Sequence, residues 1–126
     1  MSLRVEVMAT KQAVRDFLLL PWRIYRGDPN WVPPLFVEMK RILDPGRNGY
    51  LRKGPHAGFL VYRDGLAVGR VLAGIDEPTN AAKGTRDGWF SLFETLPDYE
   101  AAKLLLEAAA DYLAGMGMER MRGPVS

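Results

Sequence analysis

The stretch WFSLFETLPDYEAAK, residues 89–103, passes from large apolar residues typical of a strand to a sequence that favours a helix. A turn from strand to helix aims backbone N–H groups at whatever lies above it, and phosphates or carboxylates commonly bind there. Glu94 lies near the end of the strand, where a partly desolvated carboxylate can accept a proton. The stretch therefore raises two hypotheses, an anion site at the turn and a general base at Glu94.

The alternation of side chains along a strand predicts the neighbours of Glu94. It divides residues 89–96 into two faces, one with Trp89, Ser91, Phe93 and Thr95, the other with Phe90, Leu92, Glu94 and Leu96. A glutamate that shares a face with two large apolar residues would be partly desolvated, which raises the pKa of a carboxyl group. The alternative is a position at the rim of the sheet, with the carboxylate in water.

The turn itself departs from a typical pyrophosphate loop. Residues 95–103 contain no glycine and no arginine, although a pyrophosphate needs close approach of the backbone. Asp98 and Glu100 place two negative charges at the start of the helix, and Lys103 is the only positive charge nearby. Both acids are also explained without a ligand, as a helix cap and a first-turn carboxylate.

His56 is the only histidine, and the chain contains no cysteine. We therefore do not expect a metal site, because histidine and thiolate ligands are too few. A catalytic triad is not indicated either, because no serine motif accompanies the histidine. The lack of cysteine excludes disulfides and thiol catalysis and fits a reducing compartment, so we expect a cytoplasmic protein.

The composition indicates one ordinary globular domain. The 126 residues are 48% hydrophobic and 25% charged, unlike disordered or fibrous chains. We therefore treat residues 1–126 as a single domain. No apolar run approaches the roughly 18 residues that a membrane span requires, so no membrane partner is expected.

Basic residues are concentrated in one third of the chain, although the net charge is only +2: Lys40, Arg41, Arg47, Arg52 and Lys53. Exposed aromatic residues are not interleaved with them, as they are in many nucleic-acid-binding surfaces. The simpler interpretation is a solvated face of a loop and helix, so nucleic acid is not the expected partner. Salt-dependent binding would test that alternative.

The first part of the chain predicts a strand followed by helices. Alternation indicates a strand over residues 3–8, and Thr10 can cap the next helix. Pro21 lies inside the apolar stripe of that helix and should bend or split it. A shorter helix is predicted over residues 35–43, after a pair of prolines, and a surface loop over residues 44–55.

The central part predicts a β-hairpin. Asp64 and Gly65 separate two alternating apolar runs, residues 58–63 and 66–75, and this dipeptide favours a type I′ turn. Gly69 inside the second run indicates a bulge or the close approach of another backbone.

The last part predicts a strand, a helix and a strand. A polar loop over residues 76–87 precedes a strand over 88–95, and Asp98 can cap the helix that follows. The apolar face of this helix contains Ala102, Leu105, Leu106, Ala109, Leu113 and Met116. A final strand over 119–125 should lie parallel to the strand before the helix, which completes a mostly antiparallel α/β protein.

This order of elements, with the phrases LPWRIYRGDPNWVPPL, FLVYRDGLAVGRVLAGID, WFSLFE and GMERMRGPVS, resembles a bacterial branch of the GNAT N-acetyltransferase superfamily. The resemblance covers residues 5–126 and implies a GNAT-like α/β fold, with a mixed, mostly antiparallel sheet and flanking helices. It implies only the first two thirds of that fold, since one more helix and two strands would follow. We expect this chain to be inactive alone, because the acid of the family is often a tyrosine on that later helix.

The resemblance also implies an acyl-coenzyme A-dependent N-acyltransferase, with acetyl-coenzyme A or another acyl-coenzyme A as co-substrate, an amine as acceptor and no metal. In the family, the end of the fourth strand binds the pantetheine arm, and a glycine-bearing loop before the next helix binds the pyrophosphate. Here LPDYEAA stands in place of that loop. Glu94 is the candidate base, and the implied cofactor-binding residues are Phe93, Thr95, Leu96, Ala101, Ala102 and Lys103.

The residues leave one alternative function open and suggest one protein partner. A domain that kept the scaffold and lost the cofactor turn would be a non-catalytic ligand-binding or assembly module. The last strand, residues 119–125, would have a bare edge if it pairs with a single neighbour, and an open edge invites a second chain. We therefore expect either a homodimer through this edge or a longer protein of which this chain is a part.

Overall fold

The computed structural model describes residues 2–33 and 36–125. They form β1 (Leu3–Val7), α1 (Lys11–Ile24), α2 (Phe36–Ile42), α3 (Gly49–Arg52), β2 (His56–Arg63), β3 (Leu66–Ile75), α4 (Glu77–Lys83), β4 (Asp87–Thr95), α5 (Tyr99–Gly115) and β5 (Arg120–Val125). The strands make one sheet in the order β1-β2-β3-β4-β5. Neighbouring strands are antiparallel except β4 and β5, which are parallel. The predicted α/β class with a mostly antiparallel sheet is therefore confirmed.

Local residue types explain where several elements begin and turn. The side chains of Thr10 and Asp98 accept hydrogen bonds of 3.0 and 3.2 Å from the N–H three residues further on, and so cap α1 and α5. Between β2 and β3, φ is +51° at Asp64 and +84° at Gly65, as a type I′ turn requires. These three sequence predictions are confirmed.

Each face of the sheet is covered by a helix. α5 covers one face with the buried residues Ala101, Leu105, Ala109 and Leu113. α1 covers the opposite face with the buried residues Ala13, Phe17, Leu18 and Leu20. α3 lies on the same side as α1, because its buried Leu51 joins the cluster around Phe17. We call these two sides of the sheet the α5 face and the α1 face.

α1 continues through Pro21 to Ile24, so of the two predicted outcomes, a bend or a split, the split does not occur. A proline inside a helix leaves the carbonyl four residues earlier without its N–H donor. That carbonyl belongs to Phe17, and it accepts a hydrogen bond of 2.7 Å from Nη1 of Arg70 on β3. The helix accommodates Pro21 because a buried strand arginine, 2% exposed, supplies the missing donor.

Both segments predicted as surface loops contain a short helix, which corrects those predictions. Within residues 44–55, α3 begins after Asn48, whose side chain accepts a backbone N–H two residues further on at 3.1 Å. Within residues 76–87, α4 begins after Asp76 and ends at Gly84, where φ is +67°. The polar residues in these segments act as helix caps, and a cap uses the same residue types as a turn.

The other helix predictions are largely confirmed. α2 corresponds to the helix predicted over residues 35–43, although Pro34 and Leu35 lie outside the described residues. On α5, Leu105 is buried as predicted, whereas Met116 at the end of the stripe is 44% exposed. Among the described residues, no helix is both long enough and apolar enough to cross a bilayer.

Candidate functional site

β4 departs from a regular strand at Leu92, where φ is +56°. Ser91 lies opposite Leu72 of β3, and Glu94 lies opposite Arg70, so β4 carries one extra residue between these two pairs. This irregularity is a β-bulge, which changes the direction of the side chains that follow it. A bulky residue with positive φ is uncommon, and such strain often accompanies a functional site.

The bulge changes which side chains share a face with Glu94. Phe90 and Phe93 both pack on the α5 face, with ring centroids 6.5 Å apart, whereas Leu92 packs on the α1 face. Glu94 points to the α1 face, where it pairs with Arg70. The predicted grouping of Glu94 with Phe90 is therefore wrong, because an alternation of period two does not hold across a bulge.

Glu94 is held by a buried guanidinium group. Nη2 of Arg70 lies 3.4 Å from Oε1 of Glu94, and the guanidinium carbon lies 5.0 Å from the centroid of the Phe17 ring. Burial lowers the pKa of Arg70, and the negative charge of Glu94 opposes that shift. The Glu94 side chain is 28% exposed, and its Oε2 accepts no hydrogen bond from the residues that the structure describes. The contact at Oε1 thus orients the carboxylate, while Oε2 is buried without a partner among the described residues and the side chain as a whole is partly open to solvent.

β4 loses one of its two neighbouring strands towards its C-terminal end. The parallel pairing with β5 runs from Asp87 and Arg120 to Ser91 and Val125, and Oγ of Ser91 donates a hydrogen bond of 2.7 Å to the Val125 carbonyl. Within the described part of the chain, residues 92–95 have no partner on this side. An uncovered strand edge presents N–H and C=O groups that an extended ligand can bind.

The turn between β4 and α5 is closed by an ion pair. Nε of Arg63 lies 2.6 Å from Oδ2 of Asp98, and Nη2 lies 2.9 Å from Oδ1. The hydrogen bond with Arg63, together with that from the Ala101 N–H, lowers the pKa of Asp98. The Asp98 carbonyl accepts the Ala102 N–H at 3.0 Å. The N–H groups of Ala101 and Ala102, which could otherwise donate to a pyrophosphate, are thus already bonded within the turn.

The remaining residues predicted to bind the cofactor lie in different environments. Phe93, Leu96 and Ala101 come together in the core of the α5 face. The Leu96 N–H donates to the Val68 carbonyl of β3 at 2.8 Å. Lys103 is exposed on α5. The structure therefore gathers part of the predicted set around the end of β4 and leaves its one cation in solvent.

Sequence reasoning missed the two arginines that organise this region. Arg63 and Arg70 lie 35 and 24 residues from their acidic partners, Asp98 and Glu94, which is too far for local spacing to reveal a pair. A signal was present for Arg70, because it interrupts the apolar strand LAVGRVLAGI at a position that must face a core.

His56 takes no part in a metal site among the described residues. Its Nδ1 lies 3.3 Å from the Gly54 carbonyl, and the side chain is exposed. The described ranges contain no group of three or more histidine, cysteine, aspartate and glutamate side chains arranged for a metal ion. The candidate site at β4 is built instead from carboxylate, guanidinium and backbone groups.

No protein-family model matches this sequence, but solved structures match its fold. The aminoglycoside N-acetyltransferase AAC(6')-Iy, in complex with the bisubstrate analogue CoA-S-monomethyl-acetylneamine, aligns with a TM-score of 0.64 at 16% identity over 100% of this chain and 81% of that one. An acetyltransferase of the GNAT family from Staphylococcus aureus Mu50 aligns with a TM-score of 0.62 at 11% identity over 94% and 69% of the two chains. This chain has the GNAT acetyltransferase fold. A third GNAT-fold match, ribosomal-protein-alanine N-acetyltransferase from Brucella melitensis biovar Abortus 2308, has a TM-score of 0.62 at 18% identity over 96% and 78%.

Two curated bacterial proteins are similar to this GNAT-fold chain in sequence. Bacterial ceramide synthase of Caulobacter vibrioides is 34% identical over 124 residues, which are 98% of this chain and 32% of that protein. Protein YghO of Escherichia coli is 29% identical over 125 residues, which are 97% of this chain and 31% of that protein. The chain thus spans about a third of the length of these relatives.

Proposed function

We propose that this chain is a domain of an acyl-coenzyme A-dependent N-acyltransferase. The observation that carries the proposal is the bulge at Leu92, followed by the strand edge at residues 92–95 that β5 does not cover. A pantetheine arm is an extended amide chain, and it would bind such an edge as an added strand. The fold supports this cofactor, because the structural neighbour AAC(6')-Iy was crystallised with coenzyme A and with a coenzyme A analogue.

For the acceptor, we favour a long-chain amine over an aminoglycoside. The aminoglycoside enzyme shares the fold at low sequence identity, whereas the higher identity is to a bacterial ceramide synthase. A ceramide is the amide of a fatty acid with a long-chain amino alcohol. The proposed reaction therefore joins a fatty acyl group to the amine of an amphiphilic acceptor.

The proposed chemistry assigns the proton of the amine to Glu94. The neutral amine attacks the thioester carbonyl, the C–N bond forms, the C–S bond breaks, and the departing thiolate takes up a proton. The attacking nitrogen must lose one proton to a base. Glu94 lies two residues after the bulge, and its side chain is 28% exposed, so part of the carboxylate can be reached from solvent. Arg70 fixes Oε1 and thereby the direction of the carboxylate.

The turn before α5 should contribute less to coenzyme A binding than the strand does. Its donors are engaged by Asp98, and Arg63 already balances the charge of that carboxylate. We therefore assign most of the binding to the β4 backbone at Phe93 and Thr95. The exposed Lys103 is the cation on α5 nearest in sequence to the pyrophosphate position.

The closed turn favours one second candidate, a non-catalytic module that binds another ligand or assembles with a partner. Titration of the 15N-labelled chain with octanoyl-coenzyme A distinguishes the two. The enzyme proposal expects amide resonances of residues 92–95 to move more than those of α4, which serves as the internal reference. No shift at millimolar ligand would contradict the enzyme proposal and favour the module.

A second measurement tests the role of Glu94. Because we expect the chain alone to be inactive, thiol release from octanoyl-coenzyme A is followed in a full-length protein that contains this domain, with sphinganine and, in parallel, with an aminoglycoside. We expect release with sphinganine, and we expect Glu94→Gln to slow it by about 100-fold or more with unchanged acyl-coenzyme A affinity. Arg86→Gln, at an exposed residue just before β4 begins, is the control and should keep the rate. Equal rates in both variants would remove Glu94 from the mechanism.

A further inference from the structure

A cavity of about 660 Å³ opens on the α1 face between α3, the end of α2 and β4. Three cationic residues line it, Arg41, Arg47 and Lys53, and no aspartate or glutamate is among its lining residues. Apolar and aromatic groups make up the rest of the wall, chiefly Tyr50 and Trp89. Positive side chains at the rim of an apolar cavity focus the electrostatic field and attract a negatively charged ligand.

The two arginines of this cavity have no side-chain partner among the described residues. Neither Arg41 nor Arg47 makes an ion pair or a side-chain hydrogen bond with any residue that the structure describes, and both are exposed. Arg52, on the same segment, differs because Nη1 donates to the carbonyls of Pro45 and Gly46, each at 3.2 Å. One arginine thus holds the loop before α3, while the guanidinium of Arg47 remains available to a ligand.

Lys53 and Trp89 add two further donors. Nζ of Lys53 lies 3.7 Å from Oδ2 of Asp76 and 5.9 Å from the Tyr50 ring centroid, so the ammonium stays close to the aromatic wall. Trp89 is 5% exposed, packs 5.4 Å from the Tyr50 ring, and its Nε1 donates no hydrogen bond to the described residues. A buried indole N–H without an acceptor is rare, and an anionic oxygen is a suitable acceptor.

A neighbouring cavity shares Trp89 but has a different charge pattern. Its lining includes the carboxylates of Asp76 and Asp87 along with Lys83 and Arg122. Arg122 lies 3.8 Å from Asp87, so part of its positive charge is already balanced. Of the two spaces beside the indole, the one lined by Arg41 and Arg47 has no carboxylate in its lining, and only Lys53 there is partly balanced, by Asp76 outside the cavity.

The cavity also adjoins the bulge. Ser91 and Leu92 line it, so it opens on the side of β4 opposite α5. In the proposed reaction, acyl-coenzyme A lies along the end of β4 and the turn to α5. The cavity would then adjoin the acyl carbon on the side from which an acceptor can approach.

We propose that this cavity binds an anionic group, a phosphate or a carboxylate, carried by the acyl acceptor. The role as acceptor site rests on the proposed function, whereas binding of the anion does not. Guanidinium groups match the planar or tetrahedral oxygens of such anions, and the aromatic wall packs against the apolar part of an amphiphile. The site would therefore favour an amphiphilic amine that carries an acidic group over a neutral one such as sphinganine.

The test uses a matched pair of small amines on the 15N-labelled chain, O-phosphoethanolamine and ethanolamine. The chain has three tryptophans, and Trp89→Phe identifies the indole N–H resonance of Trp89. We expect O-phosphoethanolamine to move this resonance and ethanolamine to leave it in place. Arg41→Gln, Arg47→Gln and Lys53→Gln should each weaken binding by about tenfold, the effect of one charge-assisted hydrogen bond.

A control variant outside the cavity makes the test decisive. Arg86→Gln removes the same charge from an exposed site that does not line the cavity, and it should leave the affinity unchanged. Equal weakening in Arg86→Gln would show general charge attraction and overturn the proposal, as would an unmoved Trp89 resonance at high O-phosphoethanolamine.

Titration with coenzyme A distinguishes a phosphate of the cofactor from an acidic group of the acceptor as the anion in the cavity. If coenzyme A moves the Trp89 resonance and the three cavity variants weaken that effect, the cavity holds a phosphate of the cofactor, and the assignment to the acceptor is wrong. If coenzyme A moves only residues 92–95, the acceptor assignment stands. If coenzyme A moves neither, while O-phosphoethanolamine still moves the indole, the proposed function fails and the anion site remains.

Discussion

The sheet presents an apolar face to α5 and a partly charged face to α1 and α3. On the α5 face, the buried residues of β2, β3 and α5 are hydrophobic throughout the cluster around Leu105. On the α1 face, the buried Arg70 bonds to Phe17 and Glu94, and the cavity beside Trp89 has three cations. The α5 face therefore stabilises the fold, whereas the α1 face carries the groups that can recognise or react with a ligand.

The two faces are stabilised by different kinds of interaction. Hydrophobic burial has no preferred direction, and its loss scales with the area or volume removed. Buried polar groups stabilise little in total, but leaving one of them without its partner is costly. Substitutions on the α5 face should therefore act through size, and substitutions on the α1 face through the loss of a partner.

Arg70→Met should give the largest loss of stability. The variant keeps an apolar stem of similar length but leaves the Phe17 carbonyl and the Glu94 carboxylate without their donor. Removing one member of a buried ion pair costs about 3–5 kcal/mol. Urea unfolding measures this loss. A loss below about 1 kcal/mol, typical of an exposed pair, would contradict the role of Arg70 as the donor that both groups need.

A double-mutant cycle with Pro21→Ala tests one part of that explanation. Alanine at this position restores an N–H that can reach the Phe17 carbonyl, so Arg70→Met should cost less in this background, by about 1 kcal/mol. The same unfolding experiment on the four proteins gives the coupling. If Arg70→Met costs the same stability in both backgrounds, the hydrogen bond from Arg70 does not depend on the N–H that Pro21 lacks.

Leu105→Ala tests the α5 face, with an expected loss of about 2–5 kcal/mol from a buried leucine in a packed cluster. Leu104→Ala is the matched control, because the same substitution at a 36% exposed position should cost about 0.5 kcal/mol or less. The effect of Leu105→Ala should be the same at low and high salt. Comparable losses for the two leucines would contradict the placement of α5 on the sheet.

The local features of this fold were predictable because neighbouring residues determine them. Asp64 and Gly65 specify their turn, and Thr10 and Asp98 specify the starts of α1 and α5. These signals act within four residues, so no knowledge of the tertiary fold is needed. The position of the candidate site on β4 followed from the order of these elements and the family resemblance.

The chemistry of the site was harder to predict because it depends on long-range contacts. The bulge at Leu92 inverts an alternation that the residues themselves suggest, and only pairing with β3 reveals it. The environment of Glu94 depends on Arg70, and Arg70 in turn depends on a carbonyl exposed by Pro21 in α1. The basic residues 41–53 were visible in the sequence, but their common cavity needs α3, which was predicted as a loop.

Asp98→Asn should reduce the sensitivity of the protein to acid. Arg63 and the N–H of Ala101 hold the pKa of Asp98 below its unfolded value, so the native state binds fewer protons there than the unfolded state. This stability is present above the unfolded pKa, about 3.9, and is lost as the pH falls through the folded pKa. Thermal melts from pH 5 to pH 2 should show a smaller drop for Asp98→Asn. An unchanged drop in Asp98→Asn would show that this ion pair does not contribute to the acid sensitivity.

The smallest effect is expected at the edge of β5, where we proposed a homodimer. Within the described residues β5 is the last strand of the sheet, and Pro124 lacks an N–H for a further partner. Arg120 and Arg122 are exposed and place two like charges on this edge strand, which the single carboxylate of Asp87 balances only in part. We therefore predict weak, concentration-dependent association, which the double variant Arg120→Thr and Arg122→Thr should strengthen, as measured by light scattering over a range of protein concentrations. If the double variant stays monomeric at the highest concentration, the edge does not recruit a second chain, and the uncovered half of β4 is left to the acyl-coenzyme A proposal alone.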